Sequence, residues 1–168
     1  MKLKIALSFF AVFTLAVSCM LHYYLPRKEL VTLTGIDSKR AEAIPVERDR
    51  ADDNRPLDIY YIFVLDKGNN SRVFSNVNTA WGFPPYFKFD SADMQSKAVS
   101  LEGRQVVIRY YGLRVQILNL FPNITSLEPG DESSSLVSWV RLSVFGLWLF
   151  LLILIFPRYF RLFRGKKP

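Results

Sequence analysis

Two long apolar runs, one near each end, constrain this chain of 168 residues more than any other feature. Ile5–Leu25 (IALSFFAVFTLAVSCMLHYYL) carries no formal charge over twenty-one residues. At about 1.5 Å rise per residue, a helix of that length covers a hydrocarbon layer of about 30 Å. Lys2 and Lys4 precede it, His22, Tyr23 and Tyr24 suit an aromatic interface belt near its far end, and Pro26 stops it. The second run is Leu136–Phe156 (LVSWVRLSVFGLWLFLLILIF), with Arg141 as its one charge and Trp139 beside it as an interfacial anchor. Two readings of Arg141 stand. Close to the outer interface its guanidinium can snorkel to the head groups, the favoured reading; alternatively it pairs with the first helix or a partner helix.

A signal peptide competes for the first run. Lys2–Lys4 make a basic start, and Ala16-Val-Ser18 before Cys19 places small residues at cleavage spacing. The apolar run continues past that point to spanning length, which favours an uncleaved anchor. The alternative is a cleaved protein with a single C-terminal anchor.

The net charge of +7 comes from the ends. Residues 27–135 hold 14 Lys or Arg against all 15 acids, while Lys2, Lys4, Arg141, Arg158, Arg161, Arg164, Lys166 and Lys167 supply the excess. Basic ends beside apolar runs follow the positive-inside pattern. The expected layout is therefore a cytoplasmic N-terminus (1–4), transmembrane helix 1 (5–25), an outward domain (26–135), transmembrane helix 2 (136–156) and a basic cytoplasmic tail (157–168). In a bacterium the middle domain would be periplasmic. The basic tail touches anionic lipid in this reading, and no specific nucleic-acid binding is expected.

The middle domain has room for one small core. Leu30–Ile36, Leu57–Leu65, Arg72–Ser75, Gln105–Tyr111, Leu113–Leu120 and Asn123–Leu127 read as strands, with a bulge or bend at Gly112. Asp37–Pro56 contains eleven charged residues in twenty and reads as an exposed loop. Ser91–Leu101 reads as the soluble helix, capped by Asp90 or Ser91, with Met94, Ala98 and Leu101 on one face. The expected fold is α+β: a mainly antiparallel sheet with one helix, flanked by two transmembrane helices.

Thr79–Asp90 (TAWGFPPYFKFD) leads into that helix. Pro84-Pro85 imposes an extended path, on which Phe87 and Phe89 share one face and Tyr86, Lys88 and Asp90 the other. The favoured reading buries Trp81, Phe83, Phe87 and Phe89 as core; the other makes Trp81, Phe83, Tyr86 and Lys88 an exposed interaction patch.

The same stretch, continued as TAWGFPPYFKFDSADMQSKA, resembles the signature of an uncharacterised family of small bacterial inner-membrane proteins, roughly TGW-G-[FW]-PPYFKFDS followed by a short helix. The likeness extends to His22–Pro26, Thr34-Gly35, Val107–Gly112 and Phe121–Asn123. Ala80 departs from it, standing where the pattern has glycine, and Asp58–Leu65 lacks an Arg-Asp-containing strand associated with the family. The resemblance implies two spans around an outer domain and carries no activity.

One Cys and one His, both in the first apolar run, remove thiol–imidazole catalysis and make zinc binding implausible. Asp52-Asp53 and Asp131-Glu132 lie in expected loops, where no pocket would separate their pKa values. The expectation is a non-enzymatic protein without cofactor that binds or blocks a protein partner in the inner membrane or periplasm. Its layout is similar to that of prophage superinfection-exclusion membrane proteins, and phage ejection proteins are the concrete partner that layout implies. An envelope scaffold, or accessory subunit of a membrane complex, is the alternative. Gly146 alone makes no small-residue dimer motif, so oligomeric state is left open.

Overall fold

A computed structural model describes residues 2–40, 58–82 and 84–163. The chain divides into two compact units, one formed by Met1–Leu25 with Ser138–Pro168 and the other by Pro26–Val137.

The first unit pairs two helices, α1 (Lys2–Tyr24) and α3 (Trp139–Phe163). They run antiparallel. Tyr159 OH donates to the Ala6 carbonyl at 2.8 Å near one end, Trp148 Nε1 to Ser18 Oγ at 3.1 Å midway, and Arg141 meets His22 near the other end. Phe10 packs on Phe156 and Tyr159, with ring centroids 5.6 and 5.0 Å apart. Both helices are long and apolar enough to cross a membrane, and almost none of their apolar length is buried within the unit. α3 continues through Pro157, which the sequence placed outside the span. A proline there removes one backbone donor, and Arg158 Nη1 donates to the Leu154 carbonyl at 2.8 Å in the disturbed turn.

The second unit is a closed five-stranded barrel: β1 (Arg27–Arg40), β2 (Asp58–Leu65), β3 (Ser71–Asn76), β4 (Gln105–Tyr111) and β5 (Asn123–Pro129), with α2 (Ser91–Ser100) between β3 and β4. Around the barrel the order is β1-β2-β3-β5-β4, returning to β1. Closure depends on the length of β1. Its first part pairs with β4, from Arg27↔Tyr110 to Thr32↔Gln105, and its second part with β2, from Thr32↔Leu65 to Arg40↔Asp58. A register shift between Leu33 and Gly35 bends the strand between its two partners. All pairs are antiparallel except β3 with β5, which meet in parallel at Ser75↔Asn123. The sheet is thus mainly antiparallel, as the sequence suggested, and the single parallel contact makes it mixed and closes it into a barrel. Strand order and helix position are those of oligonucleotide/oligosaccharide-binding (OB) barrels, an architecture that by itself assigns no ligand.

Alternation writes the core. In β4, Val106, Ile108 and Tyr110 point inward between less buried neighbours. They join Val31, Leu33, Ile62, Val64, Phe74, Ile124 and Leu127, and α2 closes the barrel with Met94, Ala98 and its C-cap Leu101, the face the spacing predicts. Each fully buried aliphatic or Phe side chain is worth roughly 1.5–3 kcal/mol of transfer free energy. Gly103 follows α2 with φ +77°, and its N–H donates to the Leu33 carbonyl at 2.9 Å, so the chain rejoins β1 as β4 begins.

Two expected elements differ. Leu113–Leu120 is not a strand: Gly112 turns the chain out of β4 with φ +88°, and only the bridge Val115↔Leu120 forms beyond it. Its composition suits a strand, but among the described residues no neighbouring strand offers it a ladder. β1 extends to Arg40, into the expected loop Asp37–Pro56, whose residues 41–56 lie outside the described residues.

Candidate functional site

Residues 77–90, which join β3 to α2, are fastened at each end by an asparagine. Asn123, at the start of β5, accepts from the Val77 N–H at 2.9 Å and donates to the Val77 carbonyl at 3.0 Å, so its amide extends the ladder by one step. Asn78 Oδ1 accepts from the Ser91 N–H at 2.9 Å, which supplies the cap of α2. Asp90 occupies the N-cap position but makes no side-chain cap bond, and Ser91 is buried beneath the helix start. The cap therefore comes from a residue distant in sequence, not from Asp90 or Ser91 as local spacing suggested.

Between these fasteners the segment closes on itself. Ala80 N–H donates to the Lys88 carbonyl at 3.0 Å, and Lys88 N–H to Thr79 Oγ1 at 3.1 Å. Ala80 and Phe87, on the two sides of the loop, both take left-handed conformations, with φ +45° and +49°. Such conformations cost a residue with a Cβ about 1–2 kcal/mol and persist where surrounding bonds enforce them.

The enforcing group is Lys88. It is 4% exposed, and its Nζ donates to Asn76 Oδ1 and to the Ile124 carbonyl, each at 2.5 Å. Asn76 is itself buried and donates from Nδ2 to the Ser91 carbonyl at 2.8 Å. The physical cause lies in the barrel. β3 and β5 pair at a single position, so beyond it the Ile124 carbonyl meets an ammonium rather than a strand amide. Burial lowers the Lys88 pKa to about 8, while the Asp90 charge pulls the other way.

With Lys88 turned inward, period-two alternation turns its neighbours outward. Phe87 and Phe89 are 55% and 54% exposed, and Trp81 is 82% exposed. The three rings gather on the surface, with Trp81 edge-on to Phe87 at 5.5 Å and to Phe89 at 5.6 Å. The alternation was legible, but its polarity is inverted. The favoured core reading of Trp81, Phe87 and Phe89 does not hold, and Lys88 is not surface. Tyr86 leaves the cluster to stack on Tyr111 with centroids 4.8 Å apart, and burial pushes its hydroxyl up to about 12. Phe83 lies outside the described residues. The candidate patch is thereby split: Trp81 joins Phe87 and Phe89, which the patch reading omitted, while Tyr86 and Lys88 point elsewhere.

The remaining singled-out residues lie in the helical unit. Lys2 and Lys4 belong to the start of α1, Trp139 and Arg141 to the start of α3, and Arg158 and Arg161 to its last turns; Arg164, Lys166 and Lys167 lie outside the described residues. Arg141 Nη2 donates to His22 Nδ1 at 2.8 Å, and its guanidinium lies 5.5 Å from the Phe145 ring. Arginine only donates, so this nitrogen of His22 is the acceptor. The guanidinium thus reaches the first helix, the contact that the pairing reading expects. Among the described residues, no group of three or more His, Cys, Asp or Glu could hold a metal ion.

A family model described as "Protein of unknown function (DUF1523)" matches residues 2–163. An uncharacterized protein of Haemophilus influenzae is 33% identical over 144 residues, which cover 82% of this chain and 79% of the relative. No solved structure matches the chain.

Proposed function

The chain belongs to the DUF1523 family of proteins of unknown function, and on that premise we propose that it is a non-enzymatic binding module held at a membrane by α1 and α3. In this reading both basic ends lie in the cytoplasm and the barrel lies outside, in the periplasm of a bacterium. Two features support that arrangement. The helices are antiparallel, which brings the start of α1, with Lys2 and Lys4, and the end of α3, with Arg158 and Arg161, to one side. Exposed Phe, Leu and Ile side chains along both helices suit contact with lipid.

The observation that carries the binding role is the exposed trio Trp81, Phe87 and Phe89 on a loop fixed by the buried Lys88. Clustered aromatic surface costs solvation unless a partner covers it, and a preorganised loop loses little entropy on binding. The partner is a protein of the inner membrane or periplasm. In its most concrete form the reading is superinfection exclusion, in which contact with phage ejection proteins stops incoming DNA at the inner membrane. Support for that form is the layout of two spans around an outer domain.

The test is a phage challenge of cells expressing the full chain or its Trp81→Ala/Phe87→Ala/Phe89→Ala variant. The reading predicts normal adsorption with blocked DNA entry for the first, and restored entry for the second. Unchanged DNA entry with the full chain eliminates exclusion, and unchanged blockage with the variant removes the trio from the role. Enzyme-reporter fusions at the C-terminus test orientation separately; a periplasmic signal there contradicts it.

A further inference from the structure

We propose that the hairpin between β4 and β5 dips into the bilayer surface, with Ile117 and Leu118 among the acyl chains and Arg114 at the phosphate layer. This inference rests on the reading of α1 and α3 as membrane spans.

The hairpin is a built element. Val115 and Leu120 exchange two backbone hydrogen bonds, each 3.1 Å, and Asn119 N–H donates to the Gln116 carbonyl at 3.0 Å. Asn119 closes the turn with φ +49°. Hairpin tips in water favour Gly, Asn, Asp and Ser. This one presents Ile117, 97% exposed, and Leu118, 65% exposed, with Leu113 and Leu120 also exposed at its base. Large aliphatic side chains at the tip of an ordered turn gain nothing from the barrel and gain from an apolar medium.

Position selects the medium. β4 ends where Tyr110 pairs with Arg27, and Arg27 opens β1 only three residues after Tyr24 closes α1. The hairpin thus leaves the barrel at the end where the chain arrives from the first apolar helix. The outgoing chain returns to the same end. Gly130, where a Cβ would come within 2.4 Å of Val107 Cγ2, folds the chain back against β4. Ser134 and Ser135 then share a groove of about 270 Å³ with Lys28 and Arg109, one register step from the Arg27–Tyr110 pair.

Charge selects the same partner. A groove of about 250 Å³ beside the hairpin is lined by Arg27, Arg72, Tyr110, Leu113, Arg114 and Phe121. Arg72 is committed to both carboxylate oxygens of Glu29, at 2.6 and 2.7 Å. Arg114 lies 3.8 Å over the Phe121 ring and donates from Nη1 to the Leu120 carbonyl at 3.0 Å, which leaves further N–H groups of its fork for a phosphate oxygen. Apolar tips flanked by Arg and Lys are the composition of surfaces that sit in the head-group layer.

The test uses the full chain in phosphatidylglycerol/phosphatidylcholine vesicles, with Cys19→Ser removing the native thiol. Nitroxide labels are placed at Ile117→Cys, Leu118→Cys, Ser96→Cys on the exposed face of α2, and Val12→Cys in α1. Collision rates with oxygen and with a water-soluble nickel chelate report depth. The proposal expects the oxygen-to-nickel ratio at 117 and 118 to exceed that at 96 several-fold, approaching the value at 12. Equal ratios at 117, 118 and 96, with 12 in lipid, overturn the hairpin inference alone. Water exposure at 12 overturns the spanning reading and the inference with it. Labels at 117 and 118 shielded from both probes indicate coverage by a second copy of the chain and also overturn it.

Discussion

Lys88 Nζ donates to Asn76 Oδ1 at 2.5 Å, and both side chains are buried. A lysine so placed makes folding sensitive to pH. Its folded-state pKa of about 8 lies below the ordinary lysine value of 10.5. Below pH 8 the group is charged in both states, and the penalty of burying the charge is fully present. Between about 8 and 10.5 the unfolded chain holds more protons than the folded one, so stability rises with pH. At about 1.4 kcal/mol per unit, the rise amounts to about 3 kcal/mol across that window. Tyr86 acts oppositely and higher. With its pKa raised to about 12, its contribution is present below pH 10 and is lost as pH climbs through 12. Unfolding of the detergent-solubilised full chain, followed by near-ultraviolet dichroism from pH 7 to 9.5, should show stability rising in the native protein and staying flat in Lys88→Met. A native profile that falls over that window contradicts the burial of a titrating lysine.

Relief of strain gives a gain. Ala80 holds φ +45°, and glycine adopts that conformation without the Cβ penalty. Ala80→Gly should raise stability by about 0.5–1 kcal/mol in the same unfolding experiment, after the entropy of a freer unfolded chain is deducted. A loss of stability would mean that the left-handed conformation is not populated.

These two sites show where the sequence was legible and where it was not. The strand cores, α2 and both apolar helices follow from period-two, period-3.6 and unbroken apolar patterns, each a property of neighbours in the chain. Barrel closure is not such a property: it needs β1 to serve two partners and β3 to touch β5 at Ser75↔Asn123. The polarity of Tyr86–Asp90 depended on that closure, because the Ile124 carbonyl that draws Lys88 inward lies on a strand thirty-six residues away. Hydrophobicity alone assigned the phenylalanines inward. The available signal was Asn76 and Asn123, polar residues at strand ends that flag carbonyls and amides in need of partners. Leu113–Leu120 misled for a related reason, since strand composition without an available edge gives an exposed hairpin.

The cap of α2 separates local from distant causes. Asn78→Ala removes the acceptor for the Ser91 N–H and should cost about 1 kcal/mol. Asp90→Ala removes no cap bond and should cost no more than about 0.5 kcal/mol. Chemical denaturation of the two variants checks the contrast, and the reverse order would return the cap to Asp90.

Surface and core aromatics should separate as sharply. Phe89→Ala removes a half-exposed ring that touches Trp81 and should cost about 1 kcal/mol or less. Phe74→Ala empties a site with no solvent exposure and should cost roughly 3–5 kcal/mol. Similar losses at both positions would show that Phe89 is buried in solution.

In the proposed function, Trp81, Phe87 and Phe89 form a surface made for a partner. Its most direct test replaces Phe87 with photoreactive benzoylphenylalanine in the full chain and irradiates living cells, with Ser96 on α2 as the control position. One discrete crosslinked product is expected from position 87, lost when Trp81→Ala is added, and none from position 96. No product at 87, or the same products from both positions, would contradict it.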